Sequence, residues 1–357
     1  MKAVVFHGPH KIAVEDRPVP KIQNATDAIV KVTLTGLCGS ELHVFRGHQK
    51  SDTGFVMGHE FTGNIVEIGE GVKDFKVGDR IVASFTTSCG KCFYCSQGYT
   101  SRCENSLLFG CPKLDGGQAE YVRVPSADGT LFKAPENLPE ESVVSVVLIH
   151  TDIANLHISG YFAASNALQF IPLALHPTTI IALIGCGPVG LCALISALSF
   201  KPAKVFAIDS VPSRLALAES LGAVPLNFLT DKEHLNKTIL EATNGRGVDA
   251  VMEVVGNSPA LRMAYDIVRP FGSISSVGVH NTEIPITGNE MYNKNIRIQF
   301  GRCPVRAIFP KALELLKEKH QLLEFMADKV MPLTQAEEGY ELFDKMKVQK
   351  VIFKVDK

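Results

Sequence analysis

The 357-residue sequence predicts an α/β chain in two parts, a small turn-rich β-barrel and a doubly wound parallel sheet. The length exceeds what a single hydrophobic core usually serves. Up to about residue 150, short β-like runs are broken repeatedly by glycine and proline. Beyond that point, continuous apolar runs alternate with segments that are apolar at helical spacing.

In the first part, residues 28–35 (AIVKVTLT) alternate loosely, 65–68 follow a glycine, and 76–84 (KVGDRIVAS) turn into an apolar run. In the second, 179–184 (TIIALI) reads as a strand buried on both faces. Residues 188–200 follow as a helix, 204–208 (KVFAI) as a second buried strand, and 212–221 as a second helix. Residues 249–255, 259–268 and 272–278 continue the alternation, and repeated βαβ units imply right-handed crossovers in a parallel sheet. The tail adds helices at 309–320 and 335–346 and a strand at 350–355.

Lysine plus arginine (36) nearly cancels aspartate plus glutamate (37), which leaves no electrostatic case for nucleic acid or an anionic membrane as partner. The opening residues lack a signal-peptide layout and the apolar runs are too short to cross a bilayer, so a cytoplasmic location is expected. In a reducing compartment the nine cysteines need a use other than disulfides.

Cys89, Cys92, Cys95 and Cys103 supply one such use, spaced C-x2-C-x2-C-x7-C. Four thiolates at this spacing suit a closed, tetrahedral structural zinc site. An iron–sulfur cluster and a chance group of buried cysteines are the alternatives. Nearer the N-terminus, GLCGSELH (36–43) sets Cys38, Ser40 and His43 together, and Gly58-His59-Glu60 follows. Cysteine, histidine and a carboxylate form the ligand set of a zinc with one open position, which acidifies an alcohol hydroxyl. Ser40 and His43 could carry the released proton. Taken singly, Cys38 also reads as a small buried hydrophobe and His59 as a packing residue.

Gly185, Cys186, Gly187, Pro188, Val189 and Gly190 follow the first buried strand and open a helix, and Asp209 ends the next strand. This is the context in which G-x-G-x-x-G binds a dinucleotide, its pyrophosphate at the helix N-terminus. A carboxylate at Asp209 accepts from ribose hydroxyls and repels a 2′-phosphate, favouring NAD(H); Arg214 nearby is the contrary signal.

GLCGSELH, GHEFTGNIVEIG and the four-cysteine loop together resemble the zinc-containing medium-chain alcohol dehydrogenase family, over essentially the whole chain. The resemblance implies a GroES-like catalytic barrel over 1–152, completed by 296–357, and a Rossmann NAD-binding domain over 153–295. It implies two zinc ions per subunit. Cys89, Cys92, Cys95 and Cys103 would hold the structural one. Cys38 and His59 would hold the catalytic one, with Glu60 beside or on the metal, and Ser40 and His43 match the proton-relay positions. Glu41 stands where most members have aspartate, a carboxylate that orients the metal-bound histidine. The third ligand varies among subgroups. In the stretch 151–162 (TDIANLHISGYF) it falls to Asp152, with His150 and His157 competing and a helix N-cap as the plainer role.

By the same resemblance, Val255 with Gly256 and Val277, Gly278 and Val279 border the adenosine and nicotinamide, and Ser159 packs near the nicotinamide. Lys350 touches the pyrophosphate or is a plain surface lysine. Val44, Phe45, Phe85 and Leu108 are candidates for an apolar cleft, and a packed core would look the same. The implied activity is hydride transfer between a small alcohol, aldehyde or ketone and NAD(H), in a homodimer or homotetramer. A formaldehyde-type dehydrogenase or dismutase, a polyol dehydrogenase and a zinc-lacking NAD-binding protein are the rival readings.

Overall fold

A computed structural model describes residues 1–134, 154–230 and 232–355. The chain forms two compact units, one of Met1–Asn155, Pro304–Leu313 and Leu323–Lys357, the other of Leu156–Cys303 and Glu314–Leu322.

In the first unit, β1 (Lys2–Gly8) and β2 (Lys11–Asp16) form an antiparallel hairpin. Then come β3 (Ala28–Leu37), β4 (Phe61–Ile68), β5 (Arg80–Ala83), β6 (Tyr121–Val124) and β7 (Leu131–Lys133). The expected strand at 65–68 is the end of the longer β4, and the run at 76–84 is strand only over β5.

The second unit holds β8 (Ile180–Ile184), β9 (Lys204–Asp209), β10 (Val224–Asn227), β11 (Val248–Glu253), β12 (Val268–Ser276) and β13 (Arg297–Phe300). All pair in parallel, in the order β10-β9-β8-β11-β12-β13. Counted from β8, this is 3-2-1-4-5-6, the doubly wound order with its switch point between β8 and β11. The apolar runs of β8 (180–184) and β9 (205–208) lie inside the sheet, as continuous hydrophobic runs require. Because β13 pairs with β12, the second unit continues to residue 303, past the border expected at 295.

β14 (Lys329–Pro332) and β15 (Val351–Lys354) return to the first unit, where β15 lies antiparallel to β3 and parallel to β14. The resulting sheet runs β14-β15-β3-β4-β5-β7, with β6 also on β3. Met331 from one edge and Leu131 from the other share one core with Phe6, Phe61, Tyr340 and Phe353. A core common to both edges is the mark of a strongly curled sheet. Among the described residues, no helix is long and apolar enough to cross a membrane.

Candidate functional site

The β3–β4 pairing builds the first site. Thr35 lies opposite Phe61, so the residues just after β3 and just before β4 become neighbours. The Gly36 N–H and the Thr35 hydroxyl both donate to the Glu60 carbonyl, fixing that turn. Cys38, His59 and Glu60 thereby each bring a donor atom within 4.8 Å of the other two. Ligand atoms around a tetrahedral zinc stand about 3–4 Å apart, so donor types and spacing fit that ion.

Glu41 supports this cluster twice. It sits in the first turn of the helix Gly39–Phe45, where its Oε2 accepts from the Cys38 N–H at 2.8 Å. Its Oε1 lies 3.3 Å from His59 Nδ1. The extra methylene relative to aspartate is thus absorbed by folding the side chain back over its own helix start. With Nδ1 directed to a carboxylate, Nε2 keeps its lone pair for a metal. Burial opposes charging of His59, yet Glu41 and Cys38 override it and hold the imidazole well above its usual range. These surroundings favour a cation, and a metal replacing that proton would meet the same field.

Ser40 Oγ lies 3.3 Å from both Cys38 Sγ and His59 Nε2. Among the described residues no hydrogen bond joins it to His43, so a relay between the two needs an intervening group. Burial, with His48 and Arg46 close by, lowers the His43 imidazole, which leaves it neutral and able to accept a proton near pH 7. Phe85 meets the His59 ring edge-on with centroids 6.4 Å apart. Phe45, offered as a cleft residue, belongs instead to the core, packed on Tyr340.

Lys350 departs most from its sequence reading. It is not a surface lysine: it is completely buried, and its Nζ donates to Glu60 Oε2 at 2.7 Å and to the Leu37 carbonyl at 2.9 Å. Asp152 and His150 lie outside the described residues. His157 is fully buried on the helix Ala154–Leu168.

The second cluster is the four-cysteine loop, whose sulfur atoms also lie within 4.8 Å of one another. Phe93, Tyr94 and Tyr99 of this loop point to solvent, so it has little apolar core of its own to order it. Backbone amides divide the four thiols. Burial raises Cys89, but the N–H groups of Lys91 and Cys92 outweigh it and bring the thiol down to about 6. Amides of Glu104 and Cys95 lower Cys92. Burial, then Cys92, pushes Cys95 up to about 12, and burial raises Cys103. A divalent cation removes this division by stabilising all four thiolates. Chelation at pH 7 is therefore expected to open all four cysteines to iodoacetamide, read by peptide mass mapping, and protection that survives chelation would contradict it.

The third constellation stands at the β8–β11 switch point. Gly185 turns the chain with φ +95°, and Gly187 caps the helix Pro188–Ser199 with Pro188 in its first turn. A Cβ on Gly190 would lie 1.9 Å from the Gly185 carbonyl oxygen, so only glycine closes this turn. A Cβ on Gly187 would meet nothing within 4 Å, which leaves open space above the helix N-terminus for an anionic ligand. Val189, the next residue of this helix, is half-buried.

Asp209 ends β9 beneath this loop and is mostly buried. Its Oδ2 accepts from the Cys186 N–H at 2.7 Å, and its Oδ1 from the N–H groups of Ser210 and Val211 at 2.7 and 2.9 Å. The residue therefore ties the glycine loop to the turn after β9. Arg214 lies in the first turn of the helix Pro212–Ser220, which begins three residues after Asp209.

Val255 and Val279 are exposed and Val277 half-buried, in two loops whose backbones touch at Gly256 and Gly278. The sequence reading missed Glu253, which holds both loops. Its Oε1 accepts from the N–H groups of Val255 and Gly256, and its Oε2 contacts Ser276 Oγ at 2.6 Å and His280 Nε2 at 3.0 Å. An acidic residue at the end of an apolar strand, just before Val-Val-Gly, was the available signal.

Two family models match the chain: the alcohol dehydrogenase GroES-like domain over residues 24–136, and the zinc-binding dehydrogenase domain over 188–318. Zinc-type alcohol dehydrogenase B of Aspergillus flavus is 62% identical over 99% of this chain and 81% of its own length. Medium chain reductase/dehydrogenase ucsI of an Acremonium species is 51% identical over 82% of this chain and 98% of its own. Among solved structures, alcohol dehydrogenase TADH of Thermus sp. ATN1 superposes with a TM-score of 0.89 at 35% identity, covering all of both chains.

Proposed function

The chain belongs to the zinc-containing medium-chain alcohol dehydrogenase family, and from that premise we propose that it transfers a hydride between a small alcohol, or its aldehyde or ketone, and NAD(H). The observation that carries the reading is the convergence of Cys38, His59 and Glu60, with the His59 ring held at Nδ1 by Glu41 so that Nε2 is the ring atom turned to the cluster. In this reading Cys38, His59 and Asp152 hold the catalytic zinc, Glu60 stands beside it, and the four-cysteine loop holds a structural zinc. The first unit is then the catalytic domain and the second the NAD-binding domain. When bound, zinc supplies Lewis acidity at the substrate oxygen and the nicotinamide supplies or takes the hydride.

The protein's own groups do the rest. Ser40, next to both Cys38 and His59, is positioned to pass a proton from the substrate oxygen, and the neutral His43, reached through an intervening group, is the acceptor toward solvent. The amides of the glycine loop and the open space over Gly187 suit the pyrophosphate, and Asp209 the adenosine ribose. Val255, Val277 and Val279 border the cofactor, and Arg214 sets how strictly NAD is preferred. The family resemblance further suggests a cytoplasmic homodimer or homotetramer, which sedimentation of the purified protein would read.

The test is an NAD-linked screen over primary alcohols, secondary alcohols, polyols and aldehydes, with zinc counted in the same preparations. Turnover of an alcohol class with two zinc ions per chain is expected. Asp152→Ala is expected to abolish turnover and to release one of the two ions. A fully active variant that keeps both would remove Asp152 from the ligand set.

A further inference from the structure

His59 is the end of a buried polar chain that reaches the C-terminal helix Ala336–Asp344. The Tyr340 hydroxyl donates to Gln118 Oε1 at 2.9 Å. The amide of Gln118 donates from Nε2 to the Gly36 carbonyl at 3.2 Å, and the same nitrogen faces Glu41 Oε2 at 3.5 Å. Glu41 then presents Oε1 to His59 Nδ1 at 3.3 Å. Tyr340 and Gln118 have no solvent exposure, and Glu41 is almost completely buried.

The direction of this chain is fixed by chemistry. A flipped Gln118 amide would set its oxygen against the Gly36 carbonyl and the Glu41 carboxylate, acceptor against acceptor. Burial, with Glu41 nearby, raises the Tyr340 phenol well above its usual range, so it stays a neutral donor. The Gln118 backbone is equally constrained: its N–H donates to the Met57 carbonyl and its carbonyl accepts from Val4. A Cβ on Gly58, the residue before His59, would lie 2.5 Å from the Gln118 nitrogen. The Tyr340 ring lies between Phe45 and Phe353, with centroids 5.2 and 6.4 Å away. A phenylalanine would fill this space equally well. The hydroxyl therefore adds direction, not volume, in a core where an unsatisfied polar group is costly.

We propose that Tyr340 and Gln118 are positioning residues that lock the rotamer of Glu41, and through it the His59 ring, so that they set the zinc affinity of the Cys38–His59 site. The proposal rests on the assignment of His59 as a ligand. Partners that orient a metal-bound histidine typically change affinity by about 10- to 100-fold when removed. Tyr340 acts one residue further out, which points to the lower end of that range.

The experiment is chelator competition on the zinc-loaded protein, with the two ions distinguished by their release steps. Tyr340→Phe is expected to weaken the catalytic ion about tenfold and to leave the four-cysteine ion unchanged. Phe353→Leu loosens the packing behind the Tyr340 ring without removing any hydrogen-bonding group. It should lower the thermal midpoint while leaving zinc affinity unchanged, which separates positioning from mere stability. In a Glu41→Gln background, Tyr340→Phe should have little further effect, because both act through one carboxylate. Unchanged catalytic-zinc affinity in Tyr340→Phe overturns the proposal, as does an equal weakening by Phe353→Leu or an undiminished effect in the Glu41→Gln background. If His59→Ala retains both ions, the ligand assignment itself falls.

Discussion

Lys350→Met is expected to destabilise the protein by about 3–5 kcal/mol, the usual cost of orphaning one member of a buried ion pair. Lys350 and Glu60 are both shut off from solvent and meet at 2.7 Å. The methionine fills much of the lysine volume, so the loss isolates charge and hydrogen bonding from packing. It takes the ammonium away from Glu60 Oε2 and the donor away from the Leu37 carbonyl. Urea unfolding measures the effect. The second variant, Lys350→Met with Glu60→Gln, should recover most of the loss, because the neutral amide carries no orphaned charge. An unaltered midpoint in the single variant would show that the pair contributes nothing to folding.

Asp209→Ala carries the second large effect, and the fold changes what is expected of it. From the sequence, this substitution removes a ribose contact and relieves repulsion of a 2′-phosphate, so NADP should gain. In the fold, the same carboxylate also accepts three backbone N–H groups, one from the glycine loop itself. Hydrogen bonds to a charged group contribute about 1.5–3 kcal/mol each. Removing them loosens the turn that either cofactor needs. The expected result is a fall in kcat/KM for NAD of about a hundredfold or more, at about 1.4 kcal/mol per tenfold. The NADP-to-NAD ratio should rise, with little absolute gain for NADP. Steady-state kinetics with both cofactors decides this. If wild-type protein already prefers NADP, the proposed role of Asp209 against the 2′-phosphate is wrong.

The four cysteines and the glycine-rich turn were legible because their signals are local. Cys89 to Cys103 occupy fifteen residues, and their spacing brings four sulfur atoms together whatever the surrounding fold does. The strand–turn–helix at 180–199 likewise shows its hydrophobic pattern and its glycines in one short window. The hairpin β1–β2 and the edge strands β13 and β14 were not legible. They carry mixed burial and become strands through pairing with partners. Glu41 was recognised as the carboxylate beside His59 because it lies three residues from Cys38 on one short helix.

The Cys38–His59 pair, the four-cysteine loop and the glycine-rich turn were thus legible in outline from the order of residues. Only the tertiary structure decided what stands behind these groups. Lys350 reaches Glu60 across 290 positions, and Tyr340 reaches Gln118 across 222. Spacing rules extend over a helix turn or a hairpin, whereas these contacts exist because β15 pairs with β3 and brings the C-terminal segment into the first unit's core. Lys350 therefore looks like a surface residue in the sequence. In the fold it is the buried counter-charge of the proposed metal site.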